Sequence, residues 1–173
     1  MKTLKGEKVY LRALEPTDID EVYQWENDMS IWHLSNTIAP YSRFVLEQYL
    51  AESHQDIYTA KQLRLVICLP EGNPIGCIDL FDFDPLHQRA GIGILIADVS
   101  ERGKGYASDA LSLLVNYCKE TIQLHQLYCN ITSGNASSLK LFKGIGFEIC
   151  GTKKAWLRQH QGWTDEHMLQ KIL

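Results

Sequence analysis

The stretch Arg89-Ala-Gly-Ile-Gly-Ile-Leu-Ile-Ala-Asp-Val-Ser-Glu-Arg-Gly-Lys-Gly-Tyr-Ala-Ser-Asp-Ala-Leu111 carries a strand, a turn and the start of a helix. Gly91 to Ala97 is a short, nearly continuous apolar run bounded by polar residues, the pattern of a strand buried on both faces. The run breaks between Asp98 and Gly105. Beyond it, Ala107, Ala110, Leu111, Leu114 and Cys118 recur at three- and four-residue spacing and would line one buried helix face. Between strand and helix lies Arg102-Gly-Lys-Gly-Tyr-Ala-Ser108. Its two glycines allow a tight turn and a close approach of ligand to backbone. The first turn of a helix adds unpaired N–H groups and a positive dipole end. Together these features predict a phosphate cradle.

The residues around Lys104 separate one kind of cradle from another. A nucleotide P-loop needs Ser or Thr after its Gly-Lys, but Gly105 follows Lys104. A dinucleotide fingerprint needs a third glycine where Ser108 stands. What remains is Arg-x-x-Gly-x-Ala, at Arg102, Gly105 and Ala107. This resembles the diphosphate loop of the GNAT-type N-acetyltransferases, whose signature is Gln or Arg-x-x-Gly-x-Gly or Ala. A strand–turn–helix corner also favours glycine for purely structural reasons, so the rest of the chain has to decide.

The chain has 173 residues, enough for one domain with a substantial core, and residues 1–173 are read as a single domain. Hydrophobic residues make up 45% and charged residues 22%, an ordinary globular composition. A net charge of −4 argues against a dedicated nucleic-acid binder. Cys68, Cys77, Cys118, Cys129 and Cys150 are well separated, mostly in apolar runs, and form no Cys-x-x-Cys pair. They read as buried free thiols, and no metal is expected. The N-terminus lacks an apolar signal region, and no apolar run approaches membrane-spanning length. A cytoplasmic protein without a membrane partner is the expectation.

In chain order, Val9 to Ala13 reads as a first strand. Glu15-Pro-Thr-Asp-Ile-Asp-Glu opens a helix, with Thr17 as the expected cap and Ile19, Val22 and Tyr23 on its apolar face. Met29 to Tyr41 reads as irregular. Ser42 caps a second helix with Val45, Leu46, Tyr49 and Leu50 as its stripe. Leu63 to Leu69 and Ile75 to Phe83 are strands joined by the turn Pro70-Glu-Gly-Asn-Pro74. After the central helix come a strand at Leu127 to Ile131 and a helix capped by Asn135 and stopped at Gly146. Phe147 to Lys154 and Trp163 to Ile172 are the last strands. The expected fold class is α/β, more narrowly an α+β mixed sheet, with about seven strands and four helices.

Asn135-Ala-Ser-Ser-Leu-Lys-Leu-Phe-Lys-Gly-Ile-Gly-Phe147 resembles the second GNAT motif, an Asn-led helix ending in Gly-Phe. Two motifs in the right order are far more specific than one, and the similarity runs from Leu11 to about Leu169. Arg12, Asp18 and Trp25 are similar to the opening of the branch that holds ribosomal-protein N-terminal acetyltransferases and bacterial spermidine acetyltransferases. Gly76-Cys-Ile-Asp-Leu-Phe-Asp82, followed by His87-Gln-Arg89-Ala90, is most similar to the spermidine enzymes.

The resemblance implies acetyl-CoA as cofactor, bent into a gap where two central parallel strands splay apart. By matching positions, backbone groups of Ile94, Leu95 and Ile96 would pair with the pantetheine arm. The segment Arg102, Gly103, Lys104, Gly105, Tyr106, Ala107 and Ser108 would hold the diphosphate. Asn135, Ser138 and Phe142 would flank the arm, though Asn135 could equally just cap its helix and Phe142 could belong to the core. The implied chemistry is direct attack of an amine on the thioester, with the lost proton taken by a base or a water chain. Many relatives use a tyrosine of the second motif as proton donor, and here that position is Phe142. Some place a glutamate early on the central strand, where this chain has Gly91. The general acid and base are therefore unassigned.

The acceptor is expected to be a small-molecule or peptide primary amine. Asp79 and Asp82 are the candidate residues for it, although residues three apart on a regular strand point to opposite faces. In spermidine enzymes the loop after the first helix supplies acids. The matching Leu34-Ser-Asn-Thr-Ile-Ala-Pro40 has none, so polyamines are expected to be weak acceptors. A protein N-terminus, an aminoglycoside-type amine and a CoA-binding module without catalysis stay open as alternatives, as does assembly into a homodimer or higher homo-oligomer.

Overall fold

The computed structural model describes residues 4–173. Seven strands form one mixed sheet in the order β1-β2-β3-β4-β5-β7-β6. The strands are β1 (Tyr10–Ala13), β2 (Leu63–Cys68), β3 (Pro74–Asp84), β4 (Arg89–Ile96), β5 (Gln126–Thr132), β6 (Glu148–Gln159) and β7 (Gly162–Ile172). All neighbours are antiparallel except β4 and β5, which run parallel and are joined by the crossover helix. The α-helices are α1 (Ile19–Glu26), α2 (Trp32–Ser35), α3 (Arg43–Glu52), α4 (Ile57–Ala60), α5 (Tyr106–Tyr117) and α6 (Ala136–Gly144). The crossover helix ends in a π-helical turn, Cys118–Ile122.

Alternation along β2 shows how the layers arise. Leu65 and Ile67 pack with Ala110, Leu111 and Leu114 of α5, while Val66 and Cys68 pack with Val22 of α1 and Leu46 and Leu50 of α3. The sheet is thus covered on both faces, which explains why its central strands are apolar throughout.

All seven expected strands and four expected helices are present. The two additional helices, α2 and α4, are single turns, too short to leave a helical period in the sequence. Asp56 caps α4 by accepting the Tyr58 and Thr59 N–H groups at 2.8 and 3.1 Å. One expected cap is corrected. Thr17 makes no cap; Pro16–Asp18 is a 3-10 turn in which Asp18 accepts the Glu15 N–H at 2.8 Å. The same carboxylate takes two 2.7 Å bonds from Arg12, which ties β1 to the start of α1. Ser42 and Asn135 do cap α3 and α6. At the end of α6, Gly146 (φ +92) donates to the Lys143 carbonyl and Phe147 to that of Phe142. That paired arrangement explains the Gly-Phe ending of the second motif, since the left-handed residue must be free of Cβ strain.

Candidate active site

The parallel pair β4–β5 is in register only at Arg89–Gln126, Ala90–Leu127 and Gly91–Tyr128. Both strands run on, to Ile96 and Thr132, so beyond Gly91 they diverge and their facing backbone groups lose each other as partners. Gly76 permits the close approach of β4 to β3 at this end, because a Cβ there would run into the Leu95 carbonyl. A cavity of about 620 Å³ opens at the split. Ile92 to Leu95 line one wall and Cys129 to Thr132 the other, with Asn135, Ser138 and Phe142 of α6 alongside. Unpaired backbone N–H and C=O groups facing a cavity call for a partner with alternating donors and acceptors. A pantetheine arm, with its two amides, fits that requirement.

At the other end the lining changes to Trp25, Glu26, His33, Arg64, Asp79, Phe81, Trp156 and Glu166. Arg64 lies opposite Asp79 in the β2–β3 ladder and Asp79 opposite Gly93 in the β3–β4 ladder, which sets the three in one row across the sheet. Arg64 donates to both Asp79 oxygens at 2.7 and 3.0 Å and also to Glu26. Burial disfavours the Arg64 guanidinium charge, but the neighbouring Asp79 carboxylate more than offsets this and holds the guanidinium above its usual pKa. Glu166 pairs with Lys153 at 2.5 Å. Three carboxylates against two cations leave this end one negative charge in excess.

Of the two aspartates expected at the acceptor, the structure brings only Asp79 to the cavity. The β3 register shifts between Phe81 and Asp84, and Asp82 takes a positive φ of 47°. Its carboxylate accepts from the Tyr128 hydroxyl at 3.2 Å instead of lining the cavity. Asp84 accepts the His87 N–H at 3.0 Å and pairs with Arg89 at 3.2 Å, so the spermidine-like His87-x-Arg89 serves a turn.

The glycine loop lies beyond the cavity, past the end of β4, and Ile96 does not line the cavity either. Gly103 and Gly105 both have positive φ, +77° and +87°, and a Cβ on Gly103 would meet open space. Gly105 is the residue from which α5 starts. The Arg102 and Lys104 side chains are engaged locally: Arg102 Nε donates to the Ile96 carbonyl at 2.9 Å, and Lys104 Nζ to Glu101 at 2.8 Å. The loop therefore offers backbone N–H groups, with its long side chains spent on holding its shape. That is a fit for a diphosphate.

Two further features bear on the chemistry. Phe142 is buried, stacks edge-on against Phe147 at 5.1 Å and touches the cavity. Cys77 and Cys129 also line the cavity, but burial raises both thiols, Cys129 to about 12. Neither is a thiolate at neutral pH, so neither is fitted to carry an acyl group.

A family model described as an acetyltransferase (GNAT) domain matches residues 8–148. The chain belongs to this family. Spermidine N(1)-acetyltransferase of Escherichia coli (strain K12) is 29% identical over 147 residues, covering 83% of this chain and 74% of that protein. The spermidine N(1)-acetyltransferase of Vibrio cholerae is 28% identical over 140 residues, covering 79% and 77%. A crystal structure of spermidine N-acetyltransferase from Vibrio cholerae in complex with CoA and spermine superposes with a TM-score of 0.85, covering 95% of both chains at 22% identity. At that identity the superposition speaks for the fold. The GNAT protein described here is an acetyl-CoA-dependent N-acetyltransferase. Among the described residues no helix is long and apolar enough to cross a membrane.

Several site residues had no signal in the sequence. Arg64, Glu26 and Glu166 sit in unremarkable positions and become neighbours only through strand register. Trp156 was hidden because the expected strand stopped at Lys154. Trp25 was singled out, but only as a mark of the branch.

Proposed function

We propose that this GNAT enzyme acetylates a cationic primary amine that enters between α1, α2 and the β6–β7 hairpin. The pantetheine arm of the cofactor lies in the β4–β5 split and its diphosphate against Gly103 to Ser108. The observation that carries the reading is the row Arg64–Asp79–Gly93, which sets a carboxylate beside the bare part of β4 from which the split opens. Glu26 and Asp79 each keep lone pairs that Arg64 does not use. Trp25, Phe81 and Trp156 add aromatic surface suited to an alkylammonium. An amine with pKa near 10 is only about one part in a thousand free base at pH 7, so such an acceptor binds as a cation and must lose a proton before attack. With Gly91 and Phe142 in the usual base and acid positions, that proton leaves through water or the cavity carboxylates.

The acid-free loop Leu34 to Pro40 and the internal pairing of every cavity carboxylate favour a monoamine, with polyamines as weak acceptors. A second reading, spermidine or spermine as the principal acceptor, is favoured by the relatives named spermidine acetyltransferases. Thiol release from acetyl-CoA, measured over alkyl monoamines, spermidine and alanine-terminated peptides, separates the two. Monoamine turnover above spermidine supports the proposal. Saturation by spermidine at low micromolar concentration supports the second reading. Release no faster than background with every amine would leave only cofactor binding.

A further inference from the structure

One side chain that reaches the glycine loop, Lys8, lies outside both sequence motifs. We propose that Lys8 is a positioning residue for the cofactor's diphosphate, an inference that rests on the assignment of Gly103 to Ser108 as its cradle. Lys8 belongs to a short N-terminal turn closed by Gly6 N–H to the Val9 carbonyl at 2.8 Å and Leu11 N–H to the Leu4 carbonyl at 2.7 Å. That turn is docked on the first turn of α5. One Asp109 oxygen accepts the Lys8 and Val9 N–H groups at 2.8 and 3.0 Å. The fit is close enough that a Cβ on Gly6 would stand 2.6 Å from Asp109 Oδ1.

Anchored in this way, the Lys8 side chain crosses to the loop and its ammonium donates to the Lys104 carbonyl at 2.9 Å. Its Nζ would be 2.8 Å from a Cβ on Gly105. The Lys104 carbonyl and the Gly105 N–H belong to one peptide plane and point in opposite directions. A cation on the carbonyl side therefore fixes the orientation of that plane and polarises it toward the N–H side, where an anion is received. It also adds a full positive charge at the helix end where the dipole is already positive. Lys104 cannot do this work, because Glu101 holds its ammonium. Arg102 is folded onto the Ile96 carbonyl. Lys8 makes no direct ion pair among the described residues; the nearby Asp109 carboxylate is spent on the Lys8 and Val9 N–H groups.

The test compares acetyl-CoA with S-acetylpantetheine, which carries the same thioester and arm but no diphosphate. For Lys8→Met the ratio of kcat/KM for acetyl-CoA over S-acetylpantetheine should fall about two- to five-fold, the range for a charge acting near a helix end. Lys8→Arg should restore it, and the thermal midpoint should stay at the wild-type value. A merely structural role would lower both substrates together and leave the ratio in place, which overturns the proposal. Gly105→Val, measured alongside, distinguishes the two levels. If it collapses the ratio while Lys8→Met does not, the loop stands and the role of Lys8 falls. If Gly105→Val, shown to be folded, also leaves the ratio unchanged, the diphosphate assignment itself is wrong. Should acetyl-3′-dephospho-CoA erase the effect of Lys8→Met, the lysine serves the 3′-phosphate and the proposal is overturned.

Discussion

The ring of Phe81 lies over Gly91, its partner across the β3–β4 ladder, and a Cβ on Gly91 would stand 2.5 Å from Phe81 Cζ. Tyr128, next in the same row on β5, meets the Phe81 ring edge-on at 6.0 Å. The place where some relatives carry a glutamate is thus filled by an aromatic from the neighbouring strand. Putting that glutamate back should fail. Gly91→Glu is expected to destabilise the fold by about 1–3 kcal/mol through overpacking, without a gain in turnover. Combining it with Phe81→Ala should cost less than the two changes separately, because the sites share one space. Denaturant unfolding of the four proteins checks this, and strict additivity would count against it.

Phe142 carries the second prediction. Phe142→Tyr adds a hydroxyl at the position where many relatives hold their proton donor, on a side chain that touches the cavity. A positioned acid gives about 10²–10⁴-fold, but a cavity not shaped for it should yield only a few-fold rise in turnover. Acetyl-CoA affinity should stay near the wild-type value. Phe142→Ala should instead cost about 3–5 kcal/mol of stability, since the ring is buried against Phe147. Steady-state kinetics with calorimetric cofactor binding tests the first half, and an unchanged or lower turnover would refute it.

Much of this was legible from residues alone, for identifiable reasons. Ala110, Leu111, Leu114 and Cys118 keep a helical period because one face of α5 is buried against the sheet. Gly105 and Gly146 announce themselves because each needs a left-handed backbone. Asn135, Ser138 and Phe142, all taken from the second motif, do line the cavity. The acceptor end was not legible. Arg64 and Asp79 are 15 residues apart in the chain, and only register makes them a pair. Asp82 misled because a bulge, which leaves no period in the sequence, turns it away from the cavity. Lys8 was silent because its role depends on where a short N-terminal turn docks.

Acid sensitivity should trace to Asp18. The Asp18 residue is 5% exposed. Burial alone would raise its carboxyl, but hydrogen bonds from Arg12 and the Glu15 N–H more than reverse this and hold it below the usual value. A carboxylate depressed in the folded state adds stability above its unfolded pKa, near 3.9. That stability is lost as pH falls through the lower folded value. Asp18→Asn should therefore cost about 1–3 kcal/mol at pH 7, between the values for exposed and fully buried pairs, and flatten stability against pH below about pH 4. Urea midpoints measured from pH 7 down to pH 3 check both parts. Parallel curves for the two proteins would place the acid sensitivity elsewhere.

The last prediction concerns the acceptor end. Asp79 is held by two bonds from Arg64, and its carboxylate faces the cavity beside Gly93. Asp79→Asn removes one negative charge while an amide oxygen can still accept from Arg64, so the fold should survive. The local balance changes from one negative charge in excess to neutral. An exposed carboxylate–ammonium contact is worth at most about 1 kcal/mol, and this partly covered one should be worth slightly more. The KM for a cationic primary amine should therefore rise about five- to twenty-fold at low salt, with the KM for acetyl-CoA nearly unchanged. Added salt screens the interaction that wild type uses, so the gap between the two proteins should narrow as ionic strength rises. Initial rates over an amine series at several salt concentrations read both effects. Equal KM values for wild type and Asp79→Asn at low salt would show that the amine is held somewhere other than the Arg64–Asp79–Gly93 row.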